Sequence, residues 1–202
     1  MSYAENKDFE IQVEVNFSPP GVFTPTATDW YEFVENYVIT YANRIKAEID
    51  NDATITGAYD PEVLVLLNAD IKRFEANAKF DKNLIVIHGI RSGTLESYGS
   101  GRNNRPIEAT LTFYTRSDKG IVDNREVNLM GDGTVDRPGL YEIAEDVKTL
   151  LTENWLVQGG ERYIWKISLG DVVPEDVLNA QLKGHVAKAS MIVTGHKFEQ
   201  TV

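Results

Sequence analysis

SYGSGRNNRP, residues Ser97 to Pro106, sets two glycines around a serine and follows them with two arginines. At the start of a helix such text is a phosphate-binding loop; between two strands it is the tip of a hairpin. A phosphate loop works because glycine-freed backbone N–H groups aim at the anion where a helix begins, with a Lys and a Ser or Thr completing the cradle. Here the glycines lead into PIEATLTFYTR, Pro106 to Arg116, where Ile107, Ala109, Leu111 and Phe113 alternate with Glu108, Thr110, Thr112 and Tyr114. That is the period of a strand. Neither a following helix nor a Gly-Lys-Ser/Thr triplet is present. The decapeptide therefore reads as a hairpin tip, and the strand before it is NLIVIHGI, Asn83 to Ile90, apolar on both faces as a central strand is and running on through RSGTLES.

Outward from the hairpin, two helices stand out. Asp29 and Glu32 form a capping box, and Trp30, Phe33, Val34, Tyr37, Val38, Tyr41, Ile45 and Ile49 recur at three and four, which predicts an amphipathic helix over about residues 29 to 50. In RPGLYEIAEDVKTLLTENWL the residues Leu140, Ile143, Ala144, Val147, Leu150 and Leu151 predict a second, with Glu142, Glu145 and Asp146 outward. EIQVEVNF, Glu10 to Phe17, puts Ile11, Val13, Val15 and Phe17 on one face and Glu10, Gln12, Glu14 and Asn16 on the other, a half-buried strand that SPPG stops. ATITGAY reads as a short strand, and DPEVLVLLNADIKRFEA as a helix opened by a capping Asp60 and by Pro61 at the first helical position. Two closing strands, YIWKISL with Tyr163, Trp165, Ile167 and Leu169 on one face, and HVAKASMIVTGHKF, flank the polar GDVVPEDVLNAQLKG. Runs of strands with helices between them indicate an α+β fold. The expectation is a mixed or antiparallel sheet packed by two amphipathic helices, with a long protruding hairpin.

A chain of 202 residues, 42% of them hydrophobic, supports one core. We expect a single domain over 1–202, with 1–28 an N-terminal strand and extension and 117–137 a long loop excursion. The chain has no Cys, which removes disulfides, thiolate nucleophiles and zinc–thiolate sites, and its three His are His88, His185 and His196. MSYAENKDFE opens polar and acidic, unlike a secretory signal or transit peptide, and no apolar run approaches the roughly 20 residues that span a bilayer. The expectation is a soluble protein made in a cytoplasm, with no membrane partner.

Formal charge is -11 and uneven: residues 1–62 hold 3 basic and 12 acidic side chains, residues 91–137 hold 7 of each. Such a chain repels a phosphate backbone, which argues against a DNA-binding module, although a negative wall suits a conduit through which DNA must slide. GDGTVD, Gly131 to Asp136, lacks the alternating oxygen ligands and distal Glu of a calcium loop and reads as a turn. His88, inside an apolar strand with no second His nearby in sequence, reads as a hydrogen-bonded core or interface residue, with ligand or general base as the alternative; His196 pairs with nothing nameable. Glu142, Glu145 and Asp146 read as a solvated face. No Gly-x-Ser-x-Gly and no His-Glu-x-x-His occurs. No catalytic, cofactor or metal residue is therefore assigned. What remains is surface for partners: Tyr98, Arg102, Asn103, Asn104 and Arg105 put an aromatic ring, two guanidiniums and two amides at one hairpin end, a composition enriched where proteins meet, with a solvated loop as the plain alternative.

The helix ending in RIKAEI, the hairpin NLIVIHGIRSGTLES and RPIEATLTFYTRS, the helix GLYEIAEDVKTLL and the two C-terminal strands together resemble the tail terminator or tail completion (head–tail joining) proteins of tailed bacteriophages, over roughly residues 29 to 199. EIQVEVNF and the segment from Pro61 to Ala76 exceed the minimal fold of that family, which leaves a baseplate, neck or connector relative open. The resemblance implies a non-enzymatic virion subunit, without cofactor, that forms a ring, typically of six, caps the tail tube and joins it to the head. Its implied partners are further copies of itself, tail tube, neck or connector and sheath proteins, with DNA passing through unbound. The competing readings are another tail protein such as the tube, a small hydrolase or nucleotide-binding enzyme, and an acidic mimic of DNA.

Overall fold

The computed structural model describes residues 27–66, 71–78, 80, 82–94, 96–97, 102–116, 129–131, 139–152, 154–157, 160, 162–177 and 186–200. The chain divides into two compact units, Met1–Thr40 and Tyr41–Val202. In the first, residues 27–40 are helical; the expected strand Glu10 to Phe17 lies outside the described residues. Helix α1, Ala27–Asn51, continues across the boundary, so the three-and-four spacing locates it to within two residues at either end.

The larger unit is α+β. Among its described residues, β1 (Glu62–Val65), β2 (Leu84–Ser92), β3 (Glu96–Ser97), β4 (Arg102–Arg116), β5 (Lys166–Leu169), β6 (Val173–Glu175) and β7 (Val186–Gln200) form one sheet. Its path is β1-β2-β4-β7-β5, with β3 against β4 and β6 against β7. The pairing of β1 with β2 is parallel and the rest is antiparallel, so the sheet is mixed. One sheet face carries Ile85, Ile87, Ile107, Leu111, Phe113, Met191 and Val193, all at most 1% exposed. Onto it pack Tyr41, Ala42, Ile45 and Ile49 of α1; helix α4, Leu140–Leu151, buries Leu140, Ile143, Ala144, Val147 and Leu151 and crosses β4 and β7. Gly195 of β7 makes the close approach possible: a Cβ there would stand 2.6 Å from Cε2 of Tyr41, whose hydroxyl donates to the Val193 carbonyl at 3.1 Å.

A third helix, α3 (Ile71–Asn77), occupies only the second half of the stretch expected as one helix from Asp60. Phe74 and Ile71 close a second cluster with Phe80, Leu84, Val86, Tyr114, Val177 and Val186 on the opposite face of the sheet. That placement explains why Leu84 and Val86 are apolar where a one-sided sheet would carry polar residues.

Three local expectations are corrected. ATITGAY is helix α2, Ala53–Tyr59, because the Asp52 carboxylate caps it, accepting from the Ile55 amide at 2.8 Å. Asp60 then ends that helix in the left-handed region, φ 40°, instead of starting the next one. Pro61 follows as a helix stop, and Val63 and Val65 pair with Ile85 and Ile87, so β-branched pairing in a buried sheet outweighs the helix-start signal. The third correction is at Trp165. Tyr163 and Ile164 are 9% and 2% exposed while Trp165 is 46% exposed: the register with β7 starts at Lys166, the Trp165 amide already donates to the His196 carbonyl at 2.9 Å, and the alternation expected for YIWKISL does not extend back to Tyr163. Of the excursion 117–137, only 129–131 lie among the described residues.

Candidate interaction surface

The hairpin region is three strands wide. β2 pairs with β4 from Leu84↔Tyr114 to Ser92↔Ile107, β3 takes over beside Asn103 and Asn104, and β7 accompanies β4 on its other side down to Arg102↔Gln200. A β-bulge between His88 and Arg91 carries Gly89 at φ 59°, a value glycine adopts without strain, and such bulges bend a strand and increase its twist. Tyr98 and the glycines at the tip lie outside the described residues. Arg102 opens β4, Asn103 and Arg105 are half-buried along it, and Asn104 is 3% exposed.

Asn104 spends its amide inside the chain. Its Nδ2 donates to His196 Nδ1 at 3.2 Å and lies 3.5 Å from Glu96 Oε2, while its Oδ1 is buried without a hydrogen-bond partner among the described residues. With Nδ1 accepting, the His196 proton sits on Nε2, 3.5 Å from Ser168 Oγ. Burial, and then the positive charge of Lys166, push His196 below the usual histidine range, which keeps it in this accepting form. His196, which sequence spacing leaves unassigned, thus adds a side-chain link between β4 and β7 to their backbone pairing. On the facing register Arg105 stands opposite Lys197, and like charges opposed across strands repel. Lys197 Nζ lies 4.5 Å from the Tyr163 ring centroid, which the Arg44 guanidinium also approaches at 4.5 Å.

His88 belongs to a second polar group. Its Nε2 is 2.7 Å from Thr112 Oγ1, which is 3.1 Å from Ser190 Oγ. Ser190 hydrogen-bonds Glu175, whose Oε2 is 2.8 Å from Lys188 Nζ. Lys188 also reaches Glu75 Oε1 at 2.9 Å, and the same oxygen accepts from the Tyr114 hydroxyl at 2.8 Å. Glu75 and Lys188 are 0% and 5% exposed. Burial by itself lowers Lys188, but the two carboxylates outweigh it and hold the ammonium above its ordinary range. Burial likewise pushes Glu175 up and is outweighed by Lys188 and Ser190, which hold it low. Burial, then Lys188, push His88 down, so it is neutral at pH 7. A neutral imidazole beside a hydroxyl is the pattern of base and nucleophile. Thr112, however, is 1% exposed between two strands. The group binds α3 and β6 to the sheet.

A third feature does not show in the sequence periodicity. An open groove of about 610 Å³ lies between the end of α4 and edge strand β5, lined by Lys148, Thr152, Trp155, Trp165, Ile167 and Leu169, with Lys166 beside them. Trp155 and Trp165 are 40% and 46% exposed. Trp155 is held there: Leu156, buried at φ 48°, points inward, its amide donates to Asn154 Oδ1 at 2.7 Å, and its carbonyl accepts from Arg44 at 2.7 Å. The Arg162 guanidinium stacks 3.4 Å over the Trp155 ring. The readable signal is two tryptophans within eleven residues among Lys and Arg, which assigning YIWKISL to one strand absorbs into the core.

Glu142 and Glu145 are exposed, as expected of a solvated face; Glu142 also caps α4 by accepting from the Gly139 amide at 2.9 Å, while Asp146 is half-buried and accepts from the Tyr59 hydroxyl. Gly131 lies among the described residues but 132–136 of GDGTVD do not. Among the described residues no group of three or more His, Asp and Glu could hold a metal ion, and no helix is long and apolar enough to cross a membrane. In comparisons with known proteins, no family model and no curated protein matches the chain.

Proposed function

We propose that this chain is a structural subunit of a bacteriophage tail, a terminator or neck protein that closes into a ring of six, caps the tail tube and joins it to the head. The observation that carries the reading is the set of basic residues near one end of β4 and β7. β4 and β7 are fifteen residues each, and near one end, beside Glu199, they carry Arg102, Arg105 and Lys197 on a chain of net charge -11. A cationic strand end on an anionic body suits a head-to-tail contact with the next copy, and heterologous contacts of that kind generate rings when the rotation closes. The buried state of Thr112 beside His88 supports a subunit that does no chemistry of its own. An acidic lumen lets DNA slide past without sticking.

The reading is tested by native mass measurement with electron microscopy of the purified chain. A closed ring with an axial hole is expected. Long tubes would favour a tail tube protein instead, and a monomer that nucleotides or divalent metals protect against heat would favour an enzyme.

A further inference from the structure

We propose that the groove beside β5 receives the segment Glu10–Phe17 of a second copy, added as a strand to the sheet edge; the inference rests on the ring reading and names the lateral contact within it. The two sheet edges differ. On β1 the outward Val63 carbonyl accepts from Lys46 Nζ at 2.6 Å, so that edge is guarded within the larger unit. On β5 the register pairs Lys166 with His196 and Ser168 with Thr194, and Gly170 donates to Ile192, which leaves the N–H and C=O of Ile167 and Leu169 pointing away from β7. Those are the groups an added strand takes up.

The surroundings select the occupant. Trp155, Trp165, Ile167 and Leu169 offer an apolar wall, the charged residues lining it among the described residues are Lys148 and Lys166, and Arg162 stacks on Trp155. Lys148 is partly engaged by Glu145 at 3.6 Å. Cations reject the arginine arm of a neighbour and require an acidic strand that is apolar on one face. Glu10–Phe17 has that pattern: Ile11, Val13, Val15 and Phe17 alternate with Glu10, Gln12, Glu14 and Asn16. Its apolar face meets the tryptophans and its acidic face meets Lys166.

The test uses two full-length variants and sedimentation velocity at fixed salt. Ile167→Pro removes only an outward N–H, which an edge strand tolerates, and disables the receiving edge; Val13→Asp with Val15→Asp disables the donated strand. Each is expected to run as a monomer with the circular dichroism of the parent. Mixed at equal concentration they are expected to form a dimer that does not grow, since one live edge meets one live strand. A parent ring that Ile167→Pro leaves at full size, or a mixture that stays monomeric, would overturn the docking and leave the ring reading standing. A parent that is itself monomeric would overturn both. Should Ile167→Pro fail to fold, Trp165→Lys replaces it with the same expected outcomes.

Discussion

Lys188 has 5% of its side chain exposed and sits between Glu75, fully buried, and Glu175, 40% exposed. Removing one member of a buried pair strands the other charge, whereas replacing both by apolar groups removes the desolvation cost along with the attraction. Lys188→Met is therefore expected to destabilise the fold by about 3 to 5 kcal/mol in urea titration, and Glu75→Leu with Lys188→Met to recover a large part of that loss. A double variant no more stable than the single would show that the pair is not coupled. On β7, Lys166 depresses His196, after burial as the larger cause, whereas His88 is depressed by burial and by Lys188. Imidazole NMR titration should place both histidines below the ordinary 6.5, and Lys166→Ala should raise His196 and leave His88 where it was. Movement of both, or of neither, would contradict these contacts.

At the scale of elements, α1 lies on β7 only because Gly195 has no side chain, with Tyr41 Cε2 and Ile164 Cγ2 waiting 2.6 and 3.1 Å from where a Cβ would be. Gly195→Ala should cost about 1 to 3 kcal/mol by overpacking, read from the urea midpoint. Gly160→Ala, with nothing within 4 Å but a φ of 84°, tests strain without crowding and is the matched comparison. Long periodic elements are legible in the amino-acid sequence: α1, β2, β4, α4 and β7 each repeat their pattern over several turns or pleats. Short ones are not. In α2 a single residue, Ile55, is buried, so no periodicity exists to read, and Thr-Ile-Thr favours a strand until Asp52 is recognised as a cap. Around β1, Asp60-Pro61 carries the same letters whether it ends one helix or begins another, and only pairing with β2 decides. The candidate surface is half legible for the same reason. Arginines announce themselves in sequence, but the burial of Asn104 depends on His196, ninety-two residues away, and the exposure of Trp165 depends on where β5 begins to pair.

At the scale of the whole molecule, charge and sheet edges set the proposed assembly. An anionic chain carries Arg102, Arg105 and Lys197 near one end of β4 and β7, and among the described residues the outward backbone groups of β5 lie beside two exposed tryptophans. A subunit with distinct donor and receiver surfaces assembles head to tail, and electrostatic contacts of that kind weaken as salt rises. The most direct measurement is the native mass of the full-length protein beside Arg102→Glu with Arg105→Glu. The account predicts one parent species at six times 22.7 kDa and a charge-reversed variant that falls to the mass of a single chain. A parent that stays at 22.7 kDa at every concentration, or a ring indifferent to both reversals, would contradict it.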